Sequence, residues 1–259
     1  MVWEQEWLIK MLNAIWRWIQ KFSSPKYFYN ISGRMTPWFG WSCLLLILVG
    51  VYAGLVLAPV DYQQGNSYRI IFIHVPSAWM SLFIYIVMAI SGAIGLIWRI
   101  KLAHVISSSS ALIGASFTFL ALITGSLWGK PTWGTWWVWD ARLTSELILL
   151  FLYLGFIALR SAIEDKSSAD RATAVLALVG AVNIPIIHYS VTWWNTLHQG
   201  TTVARLDGPA IHSSMLIPLL LMALAFKLFY VTIVLMRARS EVLDRERNSS
   251  WVQEVIRSS

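Results

Sequence analysis

Six long apolar runs alternate with short polar stretches along the chain, at about 41–59, 77–98, 106–128, 143–159, 172–188 and 211–236. About 20 mainly apolar residues in a helix cross the hydrocarbon core of a bilayer. The pattern therefore predicts an all-α polytopic membrane protein with six transmembrane helices. Before the first run the pattern changes. Trp3, Trp7, Met11, Ile15 and Trp18 recur at helical spacing, with Lys10, Arg17 and Lys21 among them. That is an amphipathic helix, lying on a membrane surface or packed as an ordinary extramembrane helix, and not a secretory signal. No period of 20–50 residues repeats. The expected organisation is an amphipathic head at 1–37, one membrane domain at 38–236 and a charged tail at 237–259.

Composition supports this class. Hydrophobic residues make up 57% and charged residues 13%, where a soluble domain carries about 25% charged residues. A formal net charge of +7 would suggest nucleic acid in a soluble protein. Here the basic residues flank apolar spans, so the partner is membrane lipid and no nucleic acid is expected. Fifteen of the twenty Lys and Arg residues fall on one alternate set of segments. The opposite set holds Arg69, Lys130, Arg142 and Arg205, and Lys227 falls inside the last span. Such a bias places both termini in the cytoplasm and three loops outside, at 60–76, 129–142 and 189–210. Cys43 is the only cysteine, which excludes internal disulfides, a Cys-x-x-Cys redox centre and a Cys-x-x-Cys-His haem attachment site. The stretch from Gly125 to Thr132 fails as a phosphate loop. Three residues rather than four separate its glycines, and Pro131 follows Lys130. ATPase activity is therefore not expected of this chain.

The outer loops hold the chemistry. Trp128, Trp133, Trp136, Trp137 and Trp139 crowd into "WGKPTWGTWWVWD". Trp128 ends a span and suits an interfacial belt. The other four sit in one connection. If it is helical, Trp133, Trp136 and Trp137 share a face; if extended, Trp137 and Trp139 do. Either a belt or a platform for a flat apolar ligand accounts for them. His74, in "IIFIHVPSAW", precedes a proline and is expected just ahead of a helix. His198, in "WWNTLHQG", lies in the third outer loop. His188 ends the fifth span, His212 begins the sixth, and only His104 is cytoplasmic. A histidine at a membrane surface is either a solvated polar residue or a ligand. Arg69 and Arg142 run against the charge bias. They form surface ion pairs, such as Arg142 with Glu146, or bind a carboxylate through the guanidinium fork. Asp140 is expected to cap the fourth helix and is grouped with the site.

Together these residues describe haem, with its wide apolar face, an iron that accepts imidazole on either side, and two propionates. His74 and His198 are the candidate axial ligands, the indoles the packing surface, and Arg69 and Arg142 the propionate partners. Without Cys-x-x-Cys-His, a haem b would be held non-covalently and reversibly.

The segments "DYQQGNSYRIIFIHVP", "WGKPTWGTWWVWDARLTSE" and "NIPIIHYSVTWWNTLHQG" resemble the tryptophan-rich haem-handling family of bacterial cytochrome c maturation, closely from about 59 to 200. The resemblance implies an inner-membrane subunit that presents haem at the periplasmic face. It implies loading of haem onto the chaperone CcmE, together with a small membrane subunit, CcmD, and release by an ATPase and permease pair, CcmA and CcmB. By motif, His74 and His198 match the family's axial ligands, 133–139 its haem and chaperone surface, and Arg69 and Arg142 its basic residues near haem. Two other readings remain open at this stage. A b-type cytochrome acting as an oxidoreductase needs iron ligands within the spans. A haem or ion transporter needs ionisable groups at mid-span, for which Lys227 and Glu146 are the candidates.

Overall fold

A computed structural model describes Trp7, Met11, residues 23–200, Val203 and residues 208–258. Among these the chain is helical, with a single isolated β-bridge and no strand. The helices are α1 (Pro25–Tyr52), α2 (Ile71–Trp98), α3 (Lys101–Trp133), α4 (Ala141–Ala162), α5 (Lys166–Gly180), α6 (Asn183–Trp193), α7 (Ser213–Arg245) and α8 (Ser250–Ser258). Six stretches are long and apolar enough to cross a membrane, with α5 and α6 forming one of them. Each of the six apolar runs maps onto one. Trp7 and Met11 are helical and exposed; the rest of the expected amphipathic head up to residue 22 lies outside the described residues.

The helices begin and end at recognisable signals. Pro25 opens α1 at a position where its missing N–H has no partner to lose. The helix that holds the first apolar run thus begins well ahead of residue 41. Asp140 caps α4 by accepting from the Leu143 N–H at 2.8 Å, as expected for an aspartate at that position. Asp165 caps α5 in the same way through the Ser168 N–H, and this bonding holds its carboxyl below the usual range. The fifth span breaks at Ala181 and Val182. Pro185 lies in the first turn of α6 and has no N–H to offer Ala181. α3 ends at Gly134, which takes the left-handed conformation at φ 77° and donates its N–H to the Lys130 carbonyl.

Within the bundle α2 packs most extensively on α3, and α1 on α7. Met80, Ile84, Tyr85, Met88, Leu149, Tyr153 and Phe156 form the main core. Buried polar side chains tie the spans together. Ser81 donates to Glu146 at 2.6 Å, Tyr153 to the Ser81 carbonyl at 2.7 Å, and Asn183 to the Ser145 carbonyl at 2.9 Å. In a bilayer such groups have no water to turn to, so they bond to one another. At the end opposite the site, Asp170 binds Arg160 and Arg245, and both arginines bind Glu241. This network clamps α4, α5 and α7.

Candidate functional site

Two segments expected outside helices prove helical. α2 begins at Ile71, after a 3-10 turn at Asn66–Ile70, so His74 lies inside the helix and Pro76 within its early turns. Burial of Ile71, Phe72 and Pro76 against neighbouring spans outweighs the local preference of a residue before proline for extended backbone. α6 likewise continues to Trp193, which places His188 mid-helix rather than at a span end. His212 precedes α7 and caps it, accepting from the Ser214 N–H.

A cavity of about 290 Å³ opens between α2, α3, α6 and the loop after α6. His74, Trp128, Trp133, Arg142 and His198 line it. Gln64, Trp79, His188 and Gln199 also line it. All four lie within the segments quoted above, but the sequence did not single them out as site residues, because only the packing of the spans aims them inward. Gln64 arrives there because Asp61 accepts from the Gln63 and Gln64 N–H groups and turns the loop. Its Oε1 then accepts from Trp128 Nε1 at 2.7 Å.

The two histidines are prepared differently. His74 Nδ1 lies 3.0 Å from the Ala121 carbonyl and 3.1 Å from Thr124 Oγ1. A carbonyl can only accept, so Nδ1 carries the proton and Nε2 keeps its lone pair. The ring meets Trp128 edge-on at 5.7 Å. Gly125 lets it lie close to α3, since a Cβ there would come within 2.9 Å of the imidazole. His198 is set from outside the helices. Thr196 donates to Asp140 and accepts from the His198 N–H, so the cap of α4 also holds this loop. Its ring rests on Trp133 at 4.8 Å. Its Nδ1 is buried with no hydrogen-bond partner among the described residues. Burial, then the positive charge of Arg142, lowers its pKa to about 4, so the imidazole is neutral at neutral pH. A buried nitrogen left without a bond costs about 1–3 kcal/mol. A metal bond at Nδ1, with the proton on Nε2, would remove that cost, and a neutral imidazole is the form that makes it. The residues present therefore fit a flat ligand with a metal at its centre, clasped between indoles.

Arg142 donates to the Ile187 carbonyl at 2.7 Å and faces the cavity. It forms no salt bridge with Glu146 among the described residues, so the surface-pair reading does not describe it. Arg69 does not line this cavity. Its guanidinium donates to the Gly54, Leu55 and Ala58 carbonyls and to Asn66, and thereby closes the end of the first span. The tryptophans divide as well. Trp137 and Trp139 pair at 5.4 Å, as the extended alternative requires, and line a separate apolar groove between α3 and α4. Trp136 is half exposed, with Lys130 5.8 Å from its ring. A larger cavity, about 1130 Å³, lies at the far end near His104. Charged residues dominate its lining, and no Trp, Tyr or Phe contributes.

The family described as CcmC, heme exporter protein C, matches residues 18–253. Heme exporter protein C of Haemophilus influenzae is 47% identical over 244 residues, 94% of this chain and 99% of that protein. The Escherichia coli K12 protein of the same name is 50% identical over 93% of this chain and 98% of its own length. That of Bradyrhizobium diazoefficiens is 51% identical over 91% and 89%. With a family match across most of its length and relatives near half identical from end to end, the chain belongs to the CcmC, or heme exporter protein C, family.

Proposed function

We propose that this chain binds haem b reversibly at the periplasmic face of a bacterial inner membrane and hands it to the chaperone CcmE during c-type cytochrome biogenesis. The observation that carries the reading is the convergence of His74 and His198 on one indole-walled cavity, each with a ring nitrogen free to coordinate. Haem supplies an iron with two axial positions. His74 holds its lone pair inward because Ala121 and Thr124 take its other nitrogen. His198 would be held toward the haem from the loop, whose position Asp140 and Thr196 fix. Trp128 and Trp133 would cover the macrocycle, and Arg142 would pair with a propionate. Arg69 acts on the same site by holding the loop that carries Gln64.

Trp136 and Trp139, both exposed, form with Trp137 the surface offered to the chaperone, apart from the cavity itself. The work is presentation of haem rather than bond-making on a substrate. This chain carries no phosphate loop, so ATP hydrolysis falls to a partner pair, CcmA and CcmB, with CcmD as a further small subunit. The names of the relatives, heme exporter protein C, support a role in haem export. The bias of Lys and Arg supports cytoplasmic termini and periplasmic loops.

The test is the absorption spectrum of purified protein. His74→Ala and His198→Ala each lose most of the copurified haem, and His104→Ala keeps it. Equal haem in all three variants overturns the ligand assignment.

A further inference from the structure

Residues 215–236 of α7 contain one charged side chain, Lys227. About ten residues, roughly 15 Å of helix, separate it from either end of this stretch. That is too far for a lysine side chain to reach the headgroups by snorkelling. An ionisable residue at this depth ordinarily turns into its own bundle and finds a partner there. Lys227 does not, because it is exposed. Among the described residues its nitrogen meets only the Phe83 ring, 5.4 Å from the centroid. Phe83 lies near the middle of its own span and is 39% exposed. Ile217, Leu220 and Leu224 are exposed on the same face of α7 as Lys227, and Ile86 and Ile90 continue the face of Phe83 on α2. The result is an apolar surface on two adjoining helices with one donor group at its centre.

The charge decides what covers it. Lipid tails offer no acceptor. A second copy offers Lys227 no exposed carboxylate at this depth among the described residues. Glu146 is buried in this chain's own bundle and bonded to Ser81, so it is not offered to a neighbour. We propose that the Lys227 face of α2 and α7 docks a transmembrane helix of a different membrane protein, one with an aspartate or glutamate at mid-bilayer depth. In the resulting pair the ammonium donates to the carboxylate while Phe83 keeps hydrocarbon away from both. The inference concerns a surface apart from the haem cavity, so it stands or falls independently of haem binding.

The test is photo-crosslinking in native membranes, with p-benzoylphenylalanine in place of Leu220 or Leu224. Crosslinks are expected to a transmembrane segment that carries Asp or Glu within two turns of the crosslinked position. Lys227→Leu should cut their yield about tenfold while copurified haem stays constant. Charge reversal then identifies the pair: Lys227→Asp loses the crosslink, and replacing the partner's acid by lysine restores it. Crosslinks to lipid alone, to a second copy of this chain, or in unchanged yield with Lys227→Leu overturn the proposal.

Discussion

The imidazole of His198 shows how much of this site depends on single side chains. Its position rests on Thr196, which is bonded both to the His198 backbone and to the Asp140 carboxylate. Thr196→Val keeps the shape and removes both bonds. It should weaken haem retention by roughly tenfold, about what the loss of one hydrogen bond to a charged group costs, as measured by haem per protein after gel filtration. His74 is constrained from behind by Gly125, and Gly125→Ala forces the ring or α3 to move. Overpacking of this kind costs about 1–3 kcal/mol. Haem affinity should fall accordingly, while the far-ultraviolet helical signal is retained. The sequence named both histidines and Asp140 as candidates. It could not show that Asp140 reaches His198 through a threonine 56 residues away.

At the scale of elements, the end of α3 divides the tryptophan-rich stretch. Gly134 stops the helix, so Trp128 and Trp133 face the cavity while Trp137 and Trp139 turn to the groove beside α4. The two sets should separate by mutation. Replacing Trp128 and Trp133 with Ala lowers haem content. Replacing Trp137 and Trp139 leaves haem in place and weakens transfer to the chaperone, as read in a reconstituted transfer assay. The sequence left helix and extended backbone as alternatives here because both fit the tryptophan spacing. Gly134 and its bond to Lys130 choose between them. The opposite end of the bundle has its own dependence. Asp170 is buried between Arg160 and Arg245, and Asp170→Asn leaves Glu241 as the one carboxylate shared by the two arginines. Breaking a buried pair costs about 3–5 kcal/mol, so this variant should melt well below the wild type even with haem still bound.

The whole molecule separates two ends. An indole-walled cavity with two imidazoles lies at one, and a cavity lined mainly by charged groups at the other. The proposed function sets the first at the periplasmic face, as the positive-inside bias leads one to expect. A reporter that is active only in the periplasm, fused after Pro131, should be active. The same fusion carrying a reporter active only in the cytoplasm should be silent.

Six spans and their order follow from the sequence alone, because a bilayer demands about 20 apolar residues per crossing. That demand acts on contiguous residues and can be read one segment at a time. Which tryptophans line the cavity, where Gln64 and His188 point, that Arg69 closes a helix end and that Lys227 faces outward depend on how the helices rotate about their axes and pack. Rotation is set by contacts between residues distant in the chain, such as Gly125 with His74 or Trp128 with Gln64. Only the tertiary structure could decide it.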